Sequence, residues 1–166
     1  MQGSLFREAG IDGSGVRIAV FDGGFPGVDK LDAFKKIRSE GRIIKTYDFV
    51  KRDTFVYDYN SHGTTVLSCI AGVYEDQNVG LGTGAEFLLA RTEVKPEVFS
   101  EEENWVEAME WAYENSANII SSSLGYTSKR YFQKQMDGKT TLVSKMANIA
   151  MSKGILVINS MGNDGD

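Results

Sequence analysis

The sequence is poor in several residues that often announce a function. There is one cysteine, Cys69, in 166 residues, so no internal disulfide can form and cysteine gives no sign of an oxidising compartment. There is one histidine, His62, which excludes a zinc site built from several imidazoles. Prolines number two, Pro26 and Pro96, and no Pro-rich linker, repeat or low-complexity stretch divides the chain. No apolar run nears the roughly 18 residues of a membrane-spanning helix, and the start carries no leader pattern. No basic run occurs, and the net charge is −5. That balance argues against nucleic acid and against an anionic membrane surface as partners.

What is present is ordinary globular material. Hydrophobic residues make up 42% and charged residues 25%, enough for one domain with a real core. Residues 16–21, 86–90, 118–122 and 155–158 are short apolar runs rich in branched side chains, and residues 42–47 form a weaker one. Their near-continuous character suits strands covered on both faces. Helical spacing recurs between them. Ser100 and Glu103 form a capping-box pattern ahead of Trp105, Ala108, Met109 and Ala112. Leu142, Val143, Met146, Ile149 and Ala150 make a second stripe, which should end at Lys153 with Gly154 as a left-handed stop. A third helix is predicted from His62 to about Ile70, stopping at Gly72. Strands alternating with helices predict a parallel α/β sheet, with ligands at the carboxyl ends of its strands.

Four segments carry candidate chemistry. Asp22 follows an apolar strand and precedes Gly23 and Gly24. Held there, a carboxylate can orient an imidazole, bind Mg²⁺ or act as a nucleophile, although such an Asp is more often a turn or cap residue. His62 lies in Asn60-Ser61-His62-Gly63-Thr64-Thr65-Val66 at a helix start. A lone histidine is more often a surface or core residue, but Gly63 admits close backbone approach and the helix behind would fix the ring. Asn163, in Ser160-Met161-Gly162-Asn163, is either a turn residue or a donor to developing oxyanion charge. Ser121-Ser122-Ser123-Leu124-Gly125 is either a strand relaxing into a loop or an open edge on which a peptide pairs.

In their order these segments resemble the subtilisin-like serine proteases, or subtilases, over nearly the whole chain. Leu88–Glu93 and the run from Ser121 to Tyr126 look most like the secreted subtilases of Bacteroidetes-type bacteria. The resemblance implies a three-layer α/β fold with a parallel sheet, truncated at its C-terminal side, so that residues 1–166 are part of a catalytic domain. It implies an endopeptidase in which His62 is the general base, Asp22 its orienting carboxylate and Asn163 the oxyanion donor. Ser123, Leu124 and Gly125 would form the substrate strand at the specificity pocket. Chain order in this clan is Asp, His, Ser, with the serine in a Gly-Thr-Ser motif. No such motif occurs here, so the chain alone is expected to be inactive, to self-associate through an exposed sheet edge, and to act in full on peptide or protein substrates outside the cytoplasm, secreted or periplasmic. A non-catalytic peptide-binding relic is the alternative.

Two departures from the family stand out: Gly23 replaces the usual Ser or Thr after the Asp, and Thr65 stands where a second His is common. No cofactor is expected. Calcium is common in the family, and residues 74–79 follow the helix where one of its calcium loops lies, but Glu75 and Asp76 fall short of a cage of about 6–8 oxygens and read better as a polar loop. The run Glu101-Glu102-Glu103 reads as acids at a helix N-terminus that, by resemblance, border the cleft and would favour basic peptide side chains. Cys69 reads as a small buried apolar group, and residues 126–139 as a flap or a surface loop. Two other classes fit less well. An aspartyl phosphatase of the haloacid-dehalogenase kind needs a second Asp where Gly24 stands, and no Gly-rich phosphate-binding motif occurs.

Overall fold

The computed structural model describes residues 3–75, 77–94, 99–126 and 131–162. Five parallel strands form the main sheet: β1 (Arg17–Asp22), β2 (Ile43–Asp48), β5 (Glu86–Arg91), β6 (Ile119–Ser122) and β7 (Leu156–Asn159), in the order β2-β5-β1-β6-β7. A two-stranded hairpin of β3 (Val73–Tyr74) and β4 (Gln77–Asn78) lies apart from it. All five apolar runs become strands; the central ones, β5, β1 and β6, have a neighbour on each side, which suits side chains entering cores above and below.

The alternation of side chains builds the two cores. From β1, Ala19 and Phe21 enter one core with Leu88 and Ala90, against helices α4 (Ser100–Glu114) and α5 (Leu142–Ser152). Ile18 and Val20 enter the other with Phe87 and Leu89, against α2 (Lys35–Ser39) and α3 (His62–Ala71). The result is the expected three-layer α/β fold. Trp105 of α4 anchors the first core, its ring edge-on to Phe21 at 5.6 Å and its Nε1 donating to Ser122 Oγ at 3.1 Å. The second core rests on Leu67 and Ala71 of α3.

Several expectations change. Coverage on both faces holds for β1 and β5 but not for β7, an edge strand whose Leu156 and Ile158 are 49% and 52% exposed. The capping box at Ser100 does not form. The helix begins one residue earlier than that pattern requires, with Phe99 at the cap position and no side-chain cap. Glu101 and Glu102 are completely buried, while Glu103 is exposed. Glu101 accepts a hydrogen bond from the Val94 N–H at 2.7 Å, and Glu102 one from Tyr131 Oη at 2.6 Å. Cys69 is exposed, not buried. It lies two turns from His62 on the same outward stripe, whereas α3 buries Gly63, Leu67 and Ala71. Helix α1 (Gly3–Glu8), α2 and the hairpin escaped the sequence reading because each is too short to show a period. The stop at Gly154 is as expected, in the left-handed conformation at φ 89°, and α5 is capped by Thr141, whose hydroxyl accepts from the Ser144 N–H.

Candidate active site

Strand parity sets Asp22. It ends β1 on the same face as Ile18 and Val20, the face covered by α3. Its carboxylate is completely buried at the start of that helix, where His62 sits. His62 Nδ1 lies 2.8 Å from Asp22 Oδ2 and 3.0 Å from Oδ1, and the Gly23 N–H donates to Oδ1 at 2.7 Å. The Thr92 N–H holds the Asp22 carbonyl at 3.0 Å, so the strand end is fixed through both main chain and side chain.

The glycines make this approach possible. A Cβ on Gly63 would collide with the Gly24 carbonyl and lie 2.8 Å from Asp22 Cβ and 2.9 Å from Phe25 Cε1. Only glycine lets the helix start back onto the strand end. Gly24 has φ 143°, a conformation in which a side chain is strained, and a Cβ there would meet the Asp58 carbonyl. Thr64 Oγ1 donates to the Pro26 carbonyl at 2.8 Å, tying the helix to the loop after Asp22. Asn60 Oδ1 accepts the His62 N–H at 3.0 Å. Asn60 went unnoticed in the sequence, although an Asn two residues before a helix start is an Asx-turn signal.

Electrostatics follow from burial. Loss of solvent pushes the Asp22 carboxyl above its ordinary value, opposed by the hydrogen bonds from Gly23 and His62 and by the charge of His62. An ionised Asp22 accepts only, so Nδ1 must carry the proton facing it. In the neutral ring the other nitrogen, Nε2, is then the one without a proton. The His62 side chain is 49% exposed.

A second buried carboxylate stands two strands away. Asp48 ends β2, Arg91 ends β5, and both pair in register beside Asp22. Arg91 Nη1 lies 2.8 Å from Asp48 Oδ2, with both side chains buried, and its guanidinium stacks 3.6 Å from the centre of the Tyr59 ring. Nothing in the sequence brings Asp48 to Arg91, 43 residues away. A cleft of about 400 Å³ opens beside Gly23, bounded by Tyr59, Asn60, Ser61, Arg91 and Glu93.

The other sequence candidates divide. Ser123, Leu124 and Gly125 follow β6, on the far side of β1 from β5. Leu124 is buried in the first core, and its carbonyl accepts from Asn159 Nδ2 at 2.9 Å. Gly125 is exposed, with open space where a side chain would stand. Asn163 lies outside the described residues, as does Asp76 of the proposed calcium loop. Glu75 sits in the turn of the small hairpin at φ 46°. Among the described residues no cluster of three or more His, Cys, Asp or Glu side chains could hold a metal. No described helix is long and apolar enough to cross a membrane. In the 126–139 segment, Tyr131 is tied down by its bond to Glu102, and residues 127–130 lie outside the described set.

The profile of the Subtilase family of S8 peptidases matches residues 13–166. Subtilisin amylosacchariticus of Bacillus subtilis subsp. amylosacchariticus is 31% identical over 161 residues, covering 96% of this chain and 37% of its own length. A thermostable alkaline protease of Halalkalibacterium halodurans is 31% identical over 160 residues, covering 96% and 38%. Among solved structures, a cold-adapted subtilisin-like serine proteinase superposes with TM-score 0.68 at 23% identity, over 92% of this chain and 48% of that one. MycP1 from Mycobacterium smegmatis gives 0.70 at 19%, over 99% and 43%. The chain thus spans well under half the length of these curated relatives. With a profile match over most of its residues, it belongs to the subtilase family.

Proposed function

We propose that this chain is the Asp–His part of a subtilisin-type serine endopeptidase that hydrolyses peptide bonds in peptide or protein substrates. One observation carries the reading: a completely buried carboxylate lies 2.8 Å from Nδ1 of the sole histidine, whose side chain is half exposed. Residues 1–166 are read as part of a catalytic domain whose nucleophilic serine they do not supply. His62 takes the proton of that serine as it attacks the peptide carbonyl and returns it to the leaving amine. Asp22 favours this step. Its charge is desolvated and costly while His62 is neutral, and the imidazolium formed on proton transfer offsets that cost. Asn163 donates to the oxyanion. Ser123 and Gly125 pair with substrate main chain, and the open space at Gly125 leaves room for a peptide.

By the same reading the 166 residues alone do not cleave peptides and self-associate through β7, whose apolar edge is exposed. The whole protein acts outside the cytoplasm, secreted or periplasmic. Placement in the Bacteroidetes-type branch rests on two short segments, Leu88–Glu93 and the run from Ser121 to Tyr126.

The test uses the intact protein carrying this chain. It should cleave casein and short peptides and lose that activity to a serine-directed phosphonate. A protein that binds peptides but neither cleaves them nor reacts with the phosphonate would be a binding relic instead. Light scattering of the 166-residue chain should find oligomers, and a clean monomer would contradict the edge argument.

A further inference from the structure

Among the described residues, two charged side chains line the cleft beside the Asp22–His62 pair, Arg91 and Glu93. Arg91 is already neutralised, since its guanidinium is buried against Asp48 and stacked on Tyr59. Glu93 has a different setting. It lies two residues past β5 and is half-buried. A Cβ on Gly23 would come within 3.2 Å of Glu93 Oε2 and 3.0 Å of Asn60 Cβ. The Glu93 carboxylate therefore stands over Gly23, one residue from Asp22, in space that the absent side chain leaves open. The Ser or Thr usual after the family's Asp would crowd it.

We propose that Glu93 is a specificity-determining residue that selects a lysine or arginine side chain of the peptide, at the position just before the residue whose carbonyl is attacked. The proposal rests on the protease reading above. Its geometry follows from the sheet. Ser123–Gly125 lies on the β6 side of β1, and Glu93 on the β5 side. An extended peptide turns successive side chains to opposite sides. When the residue to be cleaved turns its side chain toward the β6 side, its neighbour turns toward Gly23 and Glu93. A cation there meets a carboxylate in a partly desolvated cleft whose other described charge, Arg91, is paired with Asp48. Charge-assisted hydrogen bonds in such places are about twice as strong as neutral ones. Glu93 has interactions in the free protein as well, so the incoming cation shares or displaces them, and a gain of roughly tenfold is expected rather than a larger one.

The sequence reading assigned a basic preference to the run Glu101-Glu102-Glu103. Glu101 and Glu102 are completely buried, and among the described residues Glu93 is the acid that lines the cleft.

The test is a set of fluorogenic peptides identical except at that position, which carries lysine, its neutral isostere norleucine, or glutamate. The intact protein should favour lysine over norleucine by about tenfold in kcat/KM, mainly through KM, and the preference should shrink as salt rises. Glu93→Gln should erase it, Glu93→Asp should keep part of it, and Glu93→Lys should shift preference to the glutamate peptide. Gly23→Ser should also lower it. Equal cleavage of lysine and norleucine peptides at low salt, or a preference that survives Glu93→Gln, would overturn the assignment while leaving the protease reading intact. Cleavage of none of the peptides, with no phosphonate labelling, would sink that reading and this inference together. The salt series needs no variant, so a misfolded Glu93 substitution would not spare the proposal.

Discussion

Two aspartates close two neighbouring sites at the same end of the sheet, and their partners make them different things. Asp48 and Asp22 are both completely buried, and each ends its strand. Each uses a side-chain oxygen to hold backbone N–H groups: Val50 and Lys51 for Asp48, Gly23 for Asp22. Asp48 faces the buried guanidinium of Arg91, whose charge is permanent. Asp22 faces an imidazole that is half exposed and that, unlike a guanidinium, exists in both neutral and charged forms. The first pair holds β2 to β5. The second keeps an unbalanced, desolvated charge that is relieved when a proton arrives at His62. In the function proposed above, burial of a carboxylate alone does not mark a catalytic site; burial against a reachable partner that can take up a proton does.

The largest test of this contrast is the same substitution at both places. Asp22→Asn should lower kcat of the intact protein by about 10⁴-fold, the loss such a change causes in characterised triads, and should leave the fold intact. Asp48→Asn should do the reverse. It strands the Arg91 charge in the interior and should cost about 3–5 kcal/mol, a fall in Tm of about 10 °C or more for a chain of this size, readable by thermal unfolding. If Asp48→Asn is harmless to stability, the two sites are not the different devices described.

A smaller effect separates their response to pH. The folded-state pKa of Asp22 lies above its ordinary 3.8 because burial disfavours the charged form. Its favourable share of stability is therefore complete below about pH 3.8 and is lost as pH rises through the folded value. Denaturant unfolding of wild type and Asp22→Asn across that range should show the variant gaining on wild type as pH increases. A gap that narrows with rising pH would mean that the pair with His62 outweighs burial.

Gly63→Ala probes the close approach that only the Asp22 site needs. Forcing α3 away from β1 should cost about 1–3 kcal/mol and reduce activity further by loosening the contact between Nδ1 and the carboxylate. The smallest change falls at the other site. Tyr59→Leu removes the ring on Arg91 and should cost about 1 kcal/mol in thermal unfolding.

Much of this was legible in the sequence, for physical reasons that name individual residues. The runs ending at Asp22, Arg91 and Ser122 are apolar on both faces because both faces are covered, so they announce central parallel strands. The approach of His62 to Asp22 was foreshadowed by Gly63 and Gly24, since a glycine at a helix start or strand end asks for a close neighbour. The rest lay in long-range contacts that no local pattern records. Arg91 reads as a strand-ending charge until Asp48 is placed beside it. Glu101 and Glu102 read as solvent-facing acids because charged residues rarely go fully inside, and here the Val94 N–H and Tyr131 hydroxyl hold them. Cys69 reads as a buried apolar group, but its spacing of two turns from His62 puts it on the stripe of α3 that faces solvent.

The central claim is that Asp22 holds His62 with the proton on Nδ1 and Nε2 free to act as a base. His62 is the chain's one histidine, so nitrogen-15 NMR of the imidazole reports on it alone. At a pH where the ring is neutral, the account predicts a protonated Nδ1 with a strongly downfield, slowly exchanging proton and an unprotonated Nε2, both lost in Asp22→Asn. A ring protonated at Nε2, or one that samples both tautomers as freely as in the Asp22→Asn variant, would contradict it.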